Sequence, residues 1–156
     1  MNIDSIKEIM DGFDPAALLP DLTSLVGKVE FVTRIAVMVG PIVLLVLGVL
    51  YFFASPKEAN YHFGYRCYFG MGSMDAWRFT QRLAGLVWAA LGLVLTVVML
   101  FVCGSFRGLD VMQIVTRGAI ALAWQAGLAA VSSLAVNIIV MTQFDAKGEH
   151  RVRSRK

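Results

Sequence analysis

Three stretches of the chain, at about 35–54, 83–103 and 118–141, contain no Asp, Glu, Lys or Arg. Each is about 20 residues or slightly longer, which as a helix matches the ~30 Å hydrocarbon core of a bilayer. The 156 residues are 58% hydrophobic and 16% charged, against about half and about a quarter in a soluble domain. The apolar excess sits almost wholly in the three runs, which argues for membrane spans rather than one soluble core. The expected fold is an all-α membrane protein: three transmembrane helices preceded by an amphipathic N-terminal helical segment. The chain then divides into residues 1–34, a membrane unit 35–141 and a basic tail 142–156.

In the N-terminal segment Ile3, Ile6, Ile9, Met10 and Phe13 recur at helical spacing among Asp4, Lys7, Glu8 and Asp11. This is the pattern of a short amphipathic helix. Asp14-Pro15 interrupts it, and Leu18, Leu22, Leu25 and Val29 continue an apolar stripe towards the first span. Such a helix lies on the membrane surface, packs on the bundle or docks a partner.

Inside the first span Gly40-Pro41 predicts a kink, because Pro41 lacks an N–H and crowds the preceding turn. The second span is expected to begin before its apolar run, with Ser73 as cap and Asp75 in the first turn. Gly85, Ala89, Gly92 and Thr96 place small residues on one face, where another helix can approach closely. That helix belongs to the same bundle or to a second copy in a homo-oligomer. A loop at 104–116 leads to the third span, which carries Gln125, Ser132, Ser133 and Asn137. Amides and hydroxyls in lipid seek partners, so Gln125, Ser132 and Asn137 are read first as interhelical glue and second as a ligand path. No span carries a charge, which disfavours a proton relay or ion path.

With three spans the first loop and the C-terminal tail share a side. That side holds Lys57, Arg66, Arg78, Arg82, Lys147, Arg151, Arg153, Arg155 and Lys156; the other holds Lys7, Lys28, Arg34, Arg107 and Arg117. Nine against five places the C-terminus in the cytoplasm. The tail reads as a solvated basic anchor on anionic lipid. Cys67 and Cys103 fall at opposite ends of one helix, too far apart for a disulfide. No metal-ligand spacing occurs and His62 and His150 are distant in sequence, so neither a metal nor a cofactor is expected. The net charge of +3 sits beside the apolar runs, which fits lipid headgroups and not nucleic acid. No secretory signal peptide is expected, since the first apolar run starts near Ile35 and lacks a small-residue cleavage pattern.

Residues 55–85 are both charged and rich in types with narrow structural uses. Asn60 tolerates turn geometry. Gly64 permits positive φ or a close backbone approach. Arg66 is a fixed cation with five donors, suited to carboxylate, phosphate or several carbonyls. Trp77, Gln81 and Arg82 follow on the expected helix. This is the pattern of a folded re-entrant or interfacial loop, with Arg66 and Arg82 as candidate ties to helix dipoles, headgroups or Asp75.

Asn60, Gly64 and Arg66 spaced as N-x-x-x-G-x-R, then Ser73-x-Asp75, Trp77, Arg82 and Gly85 running into the second span, resemble the SdpI family of bacterial membrane proteins. The resemblance extends over about residues 35–141. It departs at Cys67, where the family usually has threonine, and in having only 34 residues where longer members carry a further membrane region. The resemblance implies a bacterial cell-membrane protein conferring immunity to a membrane-active peptide toxin. The resemblance also implies a second role, holding a transcriptional autorepressor at the membrane. The family is not enzymatic, and no nucleophile–base pair, carboxylate pair or metal cluster can be assembled here. Asn60, Gly64, Arg66, Trp77, Gln81 and Arg82 then form the working loop, which binds the toxin or its target. The alternatives are an accessory or scaffold subunit docking a membrane-protein partner, and a small transporter or lipid-handling protein using the polar face of the third span.

Overall fold

In hydrocarbon every backbone N–H and C=O must be paired within the protein, and a single apolar run of this length does so as a helix. The computed structural model describes residues 22–55 and 63–151. It contains three long helices: α1, Leu22–Phe53; α2, Met74–Gly104; and α3, Val111–Gln143. All three are long and apolar enough to cross a membrane. A 3-10 turn at Phe69–Met71 precedes α2. Among the described residues there is no strand, only an isolated bridge between Phe144 and His150. The fold is therefore all-α. Of the expected amphipathic segment, residues 1–21 lie outside the described residues. From Leu22 the chain is already α1, which runs unbroken past position 35.

Each helix outlasts its charge-free run because a cap or a polar turn extends it. At about 1.5 Å per residue α1 is about 48 Å long. The Ser73 hydroxyl accepts from Ala76 N at 3.1 Å and starts α2 two turns before its apolar run. Asp110 accepts from Met112 N at 3.3 Å and starts α3 at Val111. The loop between them is thereby 105–110, shorter than the 104–116 suggested by composition. The Asp110 cap was the missed signal.

Without a hydrophobic drive between helices in lipid, association rests on close packing and hydrogen bonds. α1 packs chiefly on α2. A Cβ on Gly48 would lie 2.2 Å from Ala89 N; one on Gly92 would lie 2.4 Å from Leu45 N; one on Gly85 would lie 2.6 Å from Phe52 N. The pairs 45–92, 48–89 and 52–85 define an antiparallel register in which backbone meets backbone. The small-residue face of Gly85, Ala89 and Gly92 is thus taken up by α1.

α3 joins this pair through polar atoms. α1 continues through Pro41 as one helix. Pro41 has no N–H to offer the carbonyl four residues back, that of Val37. Gln125 Nε2 donates to that carbonyl at 2.9 Å. Asn137 Oδ1 accepts from Tyr65. Ser132 donates instead within its own helix, to Ala129 O at 2.8 Å. The outside of the bundle is apolar: Phe53, Phe101 and Trp124 are 80%, 77% and 68% exposed. That is the inversion expected where lipid is the solvent.

Candidate functional site: the loop clamped at the start of α2

The loop at 63–73 sits over the two polar turns that α2 extends beyond its apolar run. Gly64 has φ +120°, a region closed to L side chains, and a Cβ there would lie 2.8 Å from the Trp77 ring and 2.9 Å from Gln81 Oε1. Trp77 is fully buried beneath it. The next residue is held at both ends of its backbone. Tyr65 N donates to Gln81 Oε1 at 2.8 Å, and Gln81 Nε2 donates to Tyr65 O at 2.7 Å. Gln81 is 0% exposed. Its amide therefore acts as one rung of a strand pair, and as a neutral group it is buried at lower desolvation cost than a charge.

The Tyr65 side chain reaches α3. Its hydroxyl lies 3.0 Å from Ser133 O and 2.9 Å from Asn137 Oδ1, one proton serving both acceptors. Its ring meets Trp88 edge-on at 5.3 Å, and Trp88 leans on Tyr51 of α1 at 5.6 Å. Tyr65 thus ties α2 to α3, and Trp88 passes the contact on to α1. Burial pushes the Tyr65 phenol above its ordinary value of 10.0, the nearby Cys67 acts in the same direction, and the hydrogen bond to Ser133 opposes them.

The chain after α3 closes the other side of the loop. Asp145 Oδ1 accepts from Lys147 N at 2.9 Å and Glu149 N at 2.8 Å, turning the chain back. Arg151 N and Nε donate to Gln143 O and Phe144 O, both at 3.0 Å. The Ser73 hydroxyl donates to Gly148 O at 2.6 Å, and a Cβ on Gly148 would lie 2.4 Å from Ser73 N. Phe144 is buried against Phe79 and carries His150 on its face. Residues 144–151 are therefore folded back on the loop through Phe144 and Gly148, which are buried, while Lys147, Glu149 and Arg151 stay exposed as the composition suggests.

Of the expected site residues, Gly64, Trp77 and Gln81 converge in one buried contact. Arg66 and Arg82 are exposed, and among the described residues neither makes a hydrogen bond or ion pair. Among the described residues neither arginine is paired with Asp75, and the loop is held to α2 by Gln81 on the Tyr65 backbone. Asn60 and His62 lie outside the described residues. Sequence reasoning passed over Tyr65 and Gly148. An available signal was Asn137, an amide in an apolar run that needs a partner at the depth where a loop tyrosine can reach.

What remains on the outside is an exposed face with a groove beside it. Arg66 and Tyr68 are exposed, Tyr68 to 75%. Beside them Cys67, Tyr68, Phe69, Asn137, Ile138 and Met141 line a shallow groove of about 250 Å³. A fixed cation, an aromatic and an apolar trough suit an amphiphilic ligand.

The family model of the SdpI/YfhL protein family matches residues 57–142, more than half of the chain. The match takes in the loop, α2 and nearly all of α3, and it begins after α1. Gly64, Arg66, Trp77, Gln81 and Arg82 all fall inside it. No curated protein and no solved structure matches the chain. With three helices able to cross a membrane and this match across the clamped loop, the chain is a multi-pass membrane protein and belongs to the SdpI/YfhL protein family.

Proposed function

We propose that the chain is an immunity protein of the bacterial cell membrane, binding a membrane-active peptide toxin or the toxin's target at the loop end of the bundle. The reading is supported by the family and carried by one observation: the Gln81–Tyr65 clamp fixes the loop so that Arg66 and Tyr68 stand exposed beside an apolar groove. A guanidinium in that place offers five donors to a peptide's carboxylates or free carbonyls, while the groove takes apolar side chains. Arg66 is the contact residue in this reading. Gly64, Trp77 and Gln81 are positioning residues, Asn60 belongs to the same loop, and the role is non-catalytic. The working unit is residues 35–141, flanked by 1–34 and 142–156. The Lys and Arg count puts the loop and C-terminus on the cytoplasmic side.

The test is survival. Sensitive bacteria expressing the chain are challenged with a panel of membrane-active peptides. Protection against at least one is expected, with loss of protection in Arg66→Ala at unchanged membrane abundance. Full protection by Arg66→Ala removes the contact assignment. Absence of protection across the panel removes the immunity reading.

A further inference from the structure

A second groove, of about 540 Å³, runs along the first turns of α2 and shares no lining residue with the 250 Å³ trough. Its upper wall carries Asp75, Arg78 and Arg82, and its lower wall Phe52, Leu83 and Leu86. Phe79 and His150 complete the lining. Arg78 and Arg82 are one turn apart on the same helix face, both exposed, and among the described residues neither is engaged in an ion pair or hydrogen bond. The groove descends with α2 from its capped, charged start to residues inside the charge-free run. It is polar where a bilayer has headgroups and apolar where it has acyl chains.

We infer that this groove is a binding site for one anionic phospholipid, its phosphodiester held by Arg78 and Arg82 and one acyl chain lying along Leu83, Leu86 and Phe52. The charge is matched: two arginines against Asp75 leave one positive charge, which a singly charged phosphodiester neutralises. Guanidinium groups bind phosphate oxygens through paired N–H donors. The surrounding surface favours a net-negative lipid over a zwitterionic one. At this end the described residues carry Arg66, Arg78, Arg82, Lys147 and Arg151 against Asp75, Asp145 and Glu149. His150, stacked on Phe144 with ring centroids 4.3 Å apart, closes the headgroup end. The lipid would brace the α1–α2 end and the folded-back tail together, independently of any toxin.

The experiment is native mass spectrometry of the full chain in mild detergent, with phosphatidylglycerol or phosphatidylcholine added at equal concentration. Expected is one retained phosphatidylglycerol, preferred at least about fivefold. Arg78→Gln with Arg82→Gln should abolish the preference, and Arg107→Gln with Arg117→Gln, at the other end, should keep it. Asp75→Asn should strengthen it, which tests the site even where the double arginine variant fails to fold. Equal retention of both lipids overturns the proposal. So does displacement of the lipid by millimolar inorganic phosphate or glycerophosphoglycerol, since that marks a phosphate pocket without an acyl track. No toxin enters the measurement, so its outcome is separate from that of the immunity reading.

Discussion

Gln125 donates to the carbonyl of Val37 at 2.9 Å, the one carbonyl of α1 that Pro41 deprives of its helical donor. A proline that would cost a soluble helix about 3 kcal/mol is here partly compensated from the neighbouring helix. The same contact ties α3 to α1, so a local defect has become a tertiary bond.

The pair is open to a double-mutant cycle. Gln125→Leu should cost about 1–2 kcal/mol in the native background, where it leaves Val37 O unpaired in lipid. In a Pro41→Ala background the helix supplies its own N–H, and the same substitution should cost less by about 1 kcal/mol. Unfolding by a graded denaturing detergent measures both. Equal costs in the two backgrounds would show that Gln125 acts through packing alone.

The α1–α2 seam predicts a contrast between glycines. Gly48→Ala puts a methyl 2.2 Å from the Ala89 backbone nitrogen, which cannot swing aside. The helices must part, at a cost of about 1–3 kcal/mol. Gly127→Ala in α3 meets nothing within 4 Å. It should be neutral, or stabilising by up to about 1 kcal/mol through helix propensity. Thermal aggregation in detergent ranks the two, and the reverse order would contradict the register 45–92, 48–89, 52–85.

The loop clamp predicts a local effect. Gln81→Leu keeps the volume but strands a buried N–H and a buried carbonyl on Tyr65, each worth about 1–3 kcal/mol. Hydrogen exchange should accelerate strongly over residues 63–73 while the centres of α1 and α2 stay protected. Arg66→Ala, at an exposed side chain, should leave exchange in the loop unchanged. An unchanged loop in Gln81→Leu would mean that the aromatic contacts hold it unaided.

Much of this architecture was legible from residue types alone, and the reason is lipid. A charge-free run of about 20 residues satisfies its backbone in hydrocarbon as a helix. The three runs therefore mark the membrane parts of α1, α2 and α3, and each helix extends beyond its run. The Ser73 cap and the Gly85–Ala89–Gly92 face are local patterns, and local patterns survive into the fold. The clamp is different. Gln81 and Tyr65 meet across sixteen positions, and an amide imitating a strand partner leaves no periodic trace. Charge drew attention to Arg66 and Arg82 as ties for the loop, yet a neutral amide is cheaper to bury, and the arginines stay at the surface. The folded-back tail was hidden for a similar reason. Its basic residues dominate the composition, while the fold depends on Phe144, Asp145 and a close approach at Gly148.

Tyr65 predicts a pH dependence with a definite sign. In the unfolded chain its phenol ionises near 10; in the folded loop burial raises that value. The folded state therefore holds the proton more tightly. The contribution of Tyr65 to stability is full below pH 10 and is lost as pH rises through the folded-state value, because the anion would face Ser133 O and Asn137 Oδ1 without a proton to offer. Tyr65→Phe should lower stability by about 1–2 kcal/mol at neutral pH through the lost hydrogen bonds. The informative quantity is the difference between the two proteins. Followed by thermal unfolding from pH 8 to pH 11.5, the native chain should lose its advantage over Tyr65→Phe only above about pH 10. A gap that stays constant across that range would mean the hydroxyl does not hold the loop to α3.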